Sequence, residues 1–426
     1  MTAPCVPTGM NAGVCTSPCA VVIMPRRARP SVCVRRKANE LIMLSLCVAM
    51  KKLRVGVVYG GRSGEHEVSL ASAAAVFKHL DHHRYEPIAV RIEKDGRWTL
   101  PPRPPSLVSA ADVIHARPAE RHHDSSPEAH LVAYPGGDTL LKIDRRDQLA
   151  VSGLGLDIVF PVLHGPYGED GTIQGLLELA NVPYVGAGVL ASAVGMDKAV
   201  MKLVFAAREL PICDYEVVLK RDWIRDEHAI MHRVVSRLGF PVFVKPANLG
   251  SSVGISKVKA AEALKAPNDH AFEFDRKAVI EWGVPDAREI ECAVLGNDDP
   301  KASVPGEVVP AREFYDYEAK YLDEGSRTIV PADLDAAQIA EVQRLAIAAF
   351  RAVDAAGMSR VDFLLSRPTG TIYLNEINTI PGFTTISMYA KLWDASGVTY
   401  PALVDRLIQL ALERHADKQR LRTSVM

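Results

Sequence analysis

Runs of consecutive apolar residues that end in glycine predict buried parallel strands in the first part of the chain. Residues 53–61 read LRVGVVYGG, and residues 156–165 read LDIVFPVLHG. Between them, the Ala-rich stretch LASAAAVFKHL predicts a helix and YEPIAVRIE predicts a second strand. This β-α-β order favours an open α/β first domain.

The pattern downstream predicts alternating helices and strands. Two stretches, EDGTIQGLLELANV and ASAVGMDKAVMKLVFAAREL, are typical of helices, and residues 239–258 predict two strands joined by a turn. KAVIEWGV and REIECAVLG follow as strands, then the helix AQIAEVQRLAIAAFRAVDAAG and the closing helix YPALVDRLIQLALERHA. Residues 100–150 have weak periodicity and predict an insertion or loop region, and residues 312–334 are rich in loop-forming, aromatic and charged residues.

Two strands near the C-terminus carry polar residues at alternating positions. SRVDFLLS and TIYLNEIN are separated by a short turn and predict a hairpin. Alternation places Arg360 with Asp362 on one face, and Leu374 with Glu376 and Asn378 on one face. Two carboxylates and an amide are oxygen ligands suited to Mg²⁺, and an arginine suits an anionic substrate or a developing oxyanion. The alternative is a surface salt-bridge patch.

The stretch FVKPANLGSSVGISK places a lysine and a Gly/Ser-rich loop directly after an apolar strand. Backbone N–H groups of such a loop can approach phosphate oxygens, and Lys245 adds a positive charge. The loop is not a Walker A motif, because GxxxxGK[ST] is absent. A plain hairpin turn with an exposed lysine is the alternative.

Three further motifs carry candidate residues. In YGGRSGEHEVS the glycines do not match GxGxxG, which argues against a dinucleotide site, but Glu65 lies at a strand-to-helix turn and could hold an ammonium group. A helix-starting acid is the alternative and fits Glu67 better. VLHGPYGEDG places His164 at the end of a strand, and GMDK contains Lys198. A structural histidine and a solvated helical lysine are the corresponding alternatives.

Charge and cysteine content set the first 50 residues apart. They carry six basic residues and one acidic residue, a net charge of +5, which leaves −6 for the rest of a chain whose formal net charge is −1. An acidic body gives no reason to expect nucleic-acid binding. Five of the seven cysteines lie in the first 50 residues, without a disulfide or zinc spacing, as in a reducing compartment. We expect residues 1–49 to be a disordered leader or a mis-annotated start, and no membrane span.

The motifs GGxSxEHEVS, HGxxGEDG, MDK, VKPxxxGSSVG, FYDYEAKY, RVDF and NEINTxPGFT occur in this order over residues 51–415. Their order closely resembles the D-alanine–D-alanine ligases of the ATP-grasp superfamily. This resemblance implies a Rossmann-like N-terminal domain (50–185) followed by a two-subdomain ATP-grasp fold, with a central subdomain (186–282) and a C-terminal subdomain (283–426). It implies a cytoplasmic homodimer that joins two D-alanines for peptidoglycan synthesis. ATP would phosphorylate the first carboxylate to an acyl phosphate, and ADP and phosphate would be released.

The resemblance also implies residue roles. Glu65 would bind the ammonium of the first D-alanine and His164 would lie near its carboxylate, while Arg360 and the Gly382 N–H would stabilise the oxyanion. Ser387 and the Met388 backbone would hold the second carboxylate. Tyr321 would join a network with Ser251 and Glu65 on a lid formed by residues 312–334. The expected ATP contacts are Lys198, Lys245, Ser251, Ser252, Glu281, Trp282, Val284, Glu289 and Lys320, and the ligands of two Mg²⁺ (or Mn²⁺) ions are Asp362, Glu376 and Asn378.

Three other functions compete with this interpretation. A D-alanine–D-lactate ligase would have the same fold, but Tyr321 argues against it because ester-forming relatives commonly carry Phe there. A non-catalytic nucleotide-binding regulator would be expected to lose a metal ligand, Arg360 or Lys245, and all are present. An NAD-dependent oxidoreductase lacks support because GxGxxG is missing.

Overall fold

The structure, a computed structural model, describes residues 51–106, 126–145, 149–310, 327–384 and 386–422. The predictions for the leader at residues 1–49, for Lys320 and Tyr321, and for most of the lid at residues 312–334 lie outside these ranges. Three sheets make up the described part, with helices packed on them.

The first sheet has a parallel centre and an antiparallel extension. Its strand order is β6-β5-β4-β3-β2-β1-β7, and β1 pairs in parallel with β2 and β7. The predicted loop region at residues 100–150 is therefore partly wrong, because antiparallel strands β4 to β6 extend the sheet there. The strands are β1 Leu53–Gly60, β2 Tyr85–Ile92, β3 Trp98–Thr99, β4 Glu128–Leu131, β5 Leu140–Asp144, β6 Ala150–Leu154 and β7 Ile158–Val162.

One helix, α1 His66–His79, lies between β1 and β2 in sequence, and three helices follow β7: α2 Thr172–Leu179, α3 Val189–Met196 and α4 Lys198–Ala207. The single helix predicted for residues 191–210 is wrong. Asp197 has extended backbone angles and caps α4, since its carboxylate accepts hydrogen bonds from the backbone N–H groups of Ala199 and Val200. The break places Lys198 at the first position of α4.

The second sheet is antiparallel, with the order β10-β9-β11-β8. The predicted strand–turn–strand at residues 239–258 is confirmed as β9 and β10, which enclose the Gly/Ser-rich loop. The elements are β8 Tyr215–Leu219, α5 Lys220–Arg225, α6 Glu227–Leu238, β9 Val242–Pro246, β10 Ser256–Val258, a short 3₁₀ helix at Ala261–Ala263, α7 Lys265–Phe274 and β11 Lys277–Trp282.

The third sheet is also antiparallel, with the order β15-β14-β12-β16-β17 and β13 paired to β12. The predicted hairpin is confirmed as β16 and β17. Its elements are β12 Ala287–Gly296, β13 Lys301–Ala302, β14 Gly306–Val309, β15 Arg327–Ile329, α8 Ala336–Ala352, β16 Gly357–Ser366, β17 Ile372–Asn378, α9 Met388–Ala395 and α10 Tyr400–Gln419.

The C-terminal helices share a hydrophobic core with the first sheet. Tyr59 and Phe160 of that sheet belong to the same buried cluster as Phe383, Tyr389 of α9 and Leu407 of α10. The third sheet builds a separate core with α8. The polypeptide after β17 thus returns to the first sheet, since Ile380, Phe383 and Met388 belong to the same cluster. Among the described residues, no helix has the length and apolar character needed to cross a membrane.

Candidate active site

A cavity of about 250 Å³ lies where residues from all three sheets approach one another. Glu65 comes from the start of α1, Ser251 from the β9–β10 loop, and Arg360 from β16. Most of the sequence-predicted site residues reach the cavity wall. They are Glu65, His164, Lys198, Ser251, Ser252, Arg360, Glu376, Asn378, Gly382, Ser387 and Met388.

The β16–β17 hairpin brings its polar residues together as the sequence predicts. Arg360 lies opposite Asn378, and Asp362 lies opposite Glu376. The guanidinium of Arg360 donates two hydrogen bonds of 2.7 Å to the Asp362 carboxylate. The Asn378 amide N–H donates to Asp362 at 2.9 Å. These contacts fix the orientation of both oxygen-bearing side chains.

The prediction that Leu374 shares a face with Glu376 and Asn378 is wrong. Phe363 pairs with Leu374 although Asp362 pairs with Glu376, so Asn375 is the additional residue of a β-bulge. Leu374 is fully buried in the core beside Ile377. Its backbone N–H donates a hydrogen bond of 2.6 Å to the Pro211 carbonyl. This contact at the edge of the sheet cannot be predicted from the alternation of residues. The bulge lets one strand fill the core with Leu374 and still turn Glu376 to the cavity.

Arg360 is mostly buried and contacts a second carboxylate. Its Nε lies 3.0 Å from Glu291 Oε2, and Glu291 also lines the cavity. Burial alone would lower the pKa of Arg360, but the charges of Asp362 and Glu291 raise it well above its ordinary value. The guanidinium therefore stays positively charged at the cavity wall.

The donor set of Asp362, Glu376 and Asn378 fits a hard divalent cation. Carboxylate and amide oxygens are the ligands that Mg²⁺ takes in proteins. Within the described ranges, no group of three or more His, Cys, Asp or Glu side chains is placed to hold a metal ion, so this donor set depends on the Asn378 amide as well as the two carboxylates. Asn378 donates its N–H to Asp362, which leaves the amide oxygen as the atom available to a cation.

Lys198 is buried, so the interpretation of it as a solvated helical lysine is wrong. Its ammonium donates a hydrogen bond of 2.7 Å to the Leu249 carbonyl and lies 3.7 Å from Glu376 Oε2. The first helical position directs this charge across the cavity toward the Gly/Ser-rich loop. Lys198 thereby links that loop to the hairpin carboxylate.

Lys245 is also buried, which excludes the exposed-lysine alternative. Its ammonium lies 2.6 Å from Glu281 Oε2 and 3.3 Å from Asn375 Oδ1. A second lysine, Lys202, lies 3.2 Å from the other oxygen of Glu281. Burial would raise the pKa of Glu281, but the two ammonium groups lower it to about 2. This buried group of three charges therefore holds an ionised carboxylate.

The β9–β10 loop reaches across to the first sheet. Ser251 and Ser252 adopt positive φ angles of 50° and 58°, and Ser251 Oγ donates a hydrogen bond to the Glu65 carboxylate. Two glycines lie close to this carboxylate, because a Cβ at Gly165 or Gly250 would lie 2.7 Å or 3.0 Å from Glu65 Oε2. The Glu65 carboxylate thus lies between the loop after β7 and the β9–β10 loop.

His164 is almost fully buried and contacts the protein through both ring nitrogens. Nε2 lies 3.1 Å from Ser72 Oγ, and Nδ1 lies 3.2 Å from the Ile380 carbonyl and 3.5 Å from Glu169 Oε1. Burial would lower the pKa of His164, but Glu169 raises it by hydrogen bonding and charge. Burial raises the pKa of Glu169 to about 7. His164 and Glu169 therefore titrate as a pair.

The segment after β17 forms the opposite wall. Ser387 Oγ lies 2.8 Å from Thr384 Oγ1 and accepts the Thr384 N–H at 3.0 Å. A Cβ at Gly382 would lie 3.0 Å from Ser387 Oγ, so glycine permits this close turn. Met388 begins α9, whose backbone N–H groups give a partial positive charge at the cavity.

The predicted nucleotide contacts divide into two groups. Lys198, Ser251 and Ser252 line the cavity, whereas Lys245, Glu281, Trp282, Val284 and Glu289 do not. Trp282 packs edge-on against Tyr373, with ring centroids 5.9 Å apart, and its backbone N–H donates to the Asp214 backbone carbonyl. Glu289 is half-buried on β12, on the same strand face as Glu291.

Three residues of the site were not predicted from the sequence: Lys202, Glu169 and Glu291. Lys202 lies four residues after Lys198, on the same helix face, which is a detectable signal. Glu291 alternates with Glu289 along β12, and Glu169 lies within the HGPYGEDG motif. The partners of Lys202 and Glu291 come from distant segments, whereas His164, the partner of Glu169, lies only five residues before it.

Comparison with known proteins matches both halves of the chain to one family. The family model described as D-ala D-ala ligase N-terminus matches residues 54–187, and the one described as D-ala D-ala ligase C-terminus matches residues 204–409. A D-alanine–D-alanine ligase of Heliobacterium modesticaldum is 49% identical over 371 residues, covering 87% of this chain and 98% of the relative. D-alanine–D-alanine ligase A of Bradyrhizobium diazoefficiens is 50% identical over 374 residues, covering 87% of this chain and 98% of the relative.

Solved structures show the same similarity. The D-alanine–D-alanine ligase of Coxiella burnetii superposes with a TM-score of 0.73 at 37% identity, covering 87% of this chain and 96% of that one. The VanG D-Ala:D-Ser ligase of Enterococcus faecalis superposes with a TM-score of 0.73 at 32% identity, covering 85% of this chain and 100% of that one. The resemblance seen in the motifs and the predicted fold class are confirmed, and the chain belongs to the D-alanine–D-alanine ligase family.

Proposed function

We propose that this protein joins two D-alanine molecules to D-alanyl-D-alanine in an ATP-dependent reaction that passes through an acyl phosphate. One observation carries the proposal: a single cavity presents the Glu65 carboxylate, the Lys198 ammonium, the Arg360 guanidinium and the start of α9. An amino acid needs an anion for its ammonium and cations for its carboxylate. Phosphoryl transfer needs positioning and charge neutralisation, and the same cations supply both.

The first D-alanine would bind with its ammonium at Glu65. The hydrogen bond from Ser251 orients that carboxylate, and the glycines at 165 and 250 let the backbone pass close to it. The carboxylate of this first D-alanine would then face Arg360, whose raised pKa keeps the guanidinium charged. The guanidinium and the Gly382 N–H would stabilise the oxyanion that forms when the acyl phosphate is attacked.

The second D-alanine would bind at the start of α9. The N-terminus of a helix attracts a carboxylate through its backbone N–H groups and dipole, and Ser387 adds a hydroxyl donor. Gly382 lies against Ser387, so the second substrate would sit next to the oxyanion site. This arrangement brings the attacking amine close to the acyl carbon without a protein nucleophile.

ATP would lie between the second and third sheets. Lys245 and Lys198 would neutralise its phosphates under the loop of Ser251 and Ser252, and Lys320 would add charge at the γ-phosphate. Glu281 would accept a hydrogen bond from the exocyclic amino group of adenine. Trp282 and Val284 would contact the base, and Glu289 would contact the ribose. Support comes from the ionised state of Glu281 and from the burial of both lysines.

Asp362, Glu376 and Asn378 would hold Mg²⁺ or Mn²⁺, as two ions. When bound, these ions would neutralise phosphate charge during transfer. The chain's own contribution is the orientation of the three donors, which Arg360 and the β-bulge fix.

His164 would act on the site through the protein rather than as an open ligand. Its contacts to Ser72 and Ile380 hold the segment that leads into Gly382. Ser72 Oγ also accepts the Phe383 N–H at 3.2 Å, so one histidine and one serine fix both sides of this turn. A contact with the carboxylate of the first D-alanine remains part of the proposal.

The proposal extends to the wider biological setting. The enzyme would work as a cytoplasmic homodimer supplying peptidoglycan precursors, with domains divided near residues 185 and 282. The D-lactate alternative is not favoured, since the relatives at about 50% identity are named D-alanine–D-alanine ligases. The acceptor nevertheless varies within this fold, as the D-Ala:D-Ser ligase shows.

The test is phosphate release from ATP and Mg²⁺ with D-alanine, with L-alanine or with no amino acid. We expect release only with D-alanine, together with one dipeptide per phosphate. Release with L-alanine but not with D-alanine would contradict the proposal.

A further inference from the structure

Lys202 is a fully buried lysine at the edge of the proposed nucleotide site. No part of its side chain is exposed, and its ammonium lies 3.2 Å from Glu281 Oε1 and 5.6 Å from the centre of the Tyr215 ring. Burying an ammonium costs several kcal/mol unless an anion compensates it. An apolar residue at this buried helix position would avoid that cost of burying a charge. We therefore expect the buried ammonium to have a function.

Glu281 has two cationic partners with different tasks. Lys245 approaches Oε2 and also contacts Asn375, and in the proposed function it must neutralise a phosphate of ATP. Among the ion pairs of the described residues, Lys202 pairs with Glu281 alone. Lys202 is therefore the partner that stays with the carboxylate when Lys245 is engaged by the nucleotide.

We propose that Lys202 is a positioning residue that holds Glu281 as an ionised acceptor and thereby makes the site select adenine over a purine with a keto oxygen. This inference rests on the proposed function, in which Glu281 contacts the exocyclic group of the base. A carboxylate only accepts hydrogen bonds, so it pairs with the amino group of adenine. The keto oxygen of inosine or guanine is itself an acceptor, and facing it with a carboxylate leaves both groups unsatisfied.

Removing the charge of Lys202 would weaken this selection. Burial raises the pKa of Glu281, and Lys202 and Lys245 counteract burial. With Lys202 replaced, Lys245 alone must serve the carboxylate and the phosphate. Glu281 can then take up a proton or rotate, and a protonated carboxyl can donate to a keto oxygen. The other titratable groups near this cluster are Cys213, Asp214, Tyr215 and Glu376.

The test measures equilibrium binding of ATP and of inosine triphosphate to the full chain by calorimetry, without D-alanine. For Lys202→Met we expect the Kd for ATP to rise about tenfold or more, because adenine would lose its hydrogen bond to the charged Glu281 carboxylate. The Kd for inosine triphosphate should change less than about threefold, so the preference for ATP collapses. Lys202→Arg should keep the preference, since it keeps the charge.

Lys220→Met is the matched control. Lys220 lies in the same part of the chain, and its ammonium donates to the Phe272 carbonyl at 3.0 Å, so both Kd values should remain those of the unmodified protein. If Lys202→Met does not fold, Lys202→Gln keeps a polar contact without the charge. The ratio of the Kd for inosine triphosphate to the Kd for ATP is then measured on that variant. An unchanged ratio, an equal loss for both nucleotides, or lost selectivity in Lys202→Arg would overturn the inference.

The unmodified protein separates the two proposals. If it binds neither nucleotide and makes no dipeptide, the proposed function fails. If it ligates D-alanine and Lys202→Met keeps the ATP preference, only the role of Lys202 fails.

Discussion

At the residue scale, Glu376 is a carboxylate that the hairpin places in a strand at the cavity wall. The bulge at Asn375 turns it to the cavity, and Lys198 lies 3.7 Å away. Glu376→Gln keeps the shape and removes the charge. We expect folding to survive and turnover to fall by several orders of magnitude, because charge stabilisation by a bound metal is worth several kcal/mol.

The measurement is kcat at saturating Mg²⁺, compared with Glu341→Gln. Glu341 lies on α8 with 42% of its side chain exposed and pairs with Arg344, so its replacement should leave turnover unchanged. Turnover of Glu376→Gln within about threefold of the unmodified protein, a factor worth only ~0.7 kcal/mol, would show that Glu376 holds no metal.

Glu169 and His164 make stability depend on pH. Burial raises the pKa of Glu169 to about 7 from 4.5, and Glu169 raises the pKa of His164. The folded state therefore binds protons that the unfolded state has released. This contribution is fully present below the unfolded pKa values and is lost as pH rises through the folded ones.

Glu169→Gln removes the carboxyl that titrates and the charge that raises the pKa of His164. We expect the Tm of the unmodified protein to fall relative to that of the variant as the pH rises from about 5 to about 8. Thermal unfolding followed by circular dichroism at several pH values measures the difference. Parallel curves for the two proteins would mean that the pair does not couple to folding.

Asp197 sets the geometry at the scale of the element. Its carboxylate caps α4 by accepting two hydrogen bonds and also pairs with Lys277 of β11. Asp197→Ala loses the cap, worth about 1 kcal/mol, and leaves the mostly buried Lys277 without this partner. Asp197→Asn keeps a capping oxygen and loses only the charge.

We therefore expect the Tm to fall more for Asp197→Ala than for Asp197→Asn. Activity should fall in the same order, because Lys198 is the first residue of the capped helix. Differential scanning calorimetry and steady-state kinetics on both variants measure these effects. Equal Tm values would indicate that capping by Asp197 contributes nothing measurable to the fold.

At the scale of the whole molecule, hydrogen bonds from α10 connect the C-terminal part of the chain to the first sheet. Asp405 accepts hydrogen bonds from Arg84 and from the buried Tyr85 hydroxyl, the latter at 2.5 Å. Arg414 donates to the carbonyls of Tyr184 and Gly186. The hydroxyl of Tyr400 donates to the Phe383 carbonyl, next to Gly382.

Asp405→Ala should lower the free energy of unfolding by about 1–3 kcal/mol, because it removes the acceptor of a buried hydroxyl. Turnover at low temperature should be unchanged, since Asp405 does not line the cavity. Glu413→Ala is the matched control, because Glu413 lies on the same helix in an exposed pair with Arg406. Chemical denaturation measures both, and an equal effect of the two substitutions would contradict the role of Asp405.

The apolar runs predicted the central strands because β1 and β7 are buried on both faces, which leaves a local signal. The hairpin was predicted for a similar reason, since its pairing is local. The bulge at Asn375 was not, because it depends on the contact of Leu374 with Pro211, more than 160 residues away in sequence. The position of Lys202 one turn after Lys198 is visible in the sequence, but the burial of its charge depends on Glu281, which is distant in sequence.

Ligation through an acyl phosphate is tested most directly by following the carboxylate oxygen of the first D-alanine. With D-alanine labelled by heavy oxygen in its carboxylate, an acyl phosphate transfers one labelled oxygen to phosphate when the second amine attacks. We expect the released phosphate to carry one labelled oxygen for each dipeptide formed, and ADP to carry none. Unlabelled phosphate released alongside labelled dipeptide would contradict the acyl phosphate and the roles assigned to Arg360 and Gly382.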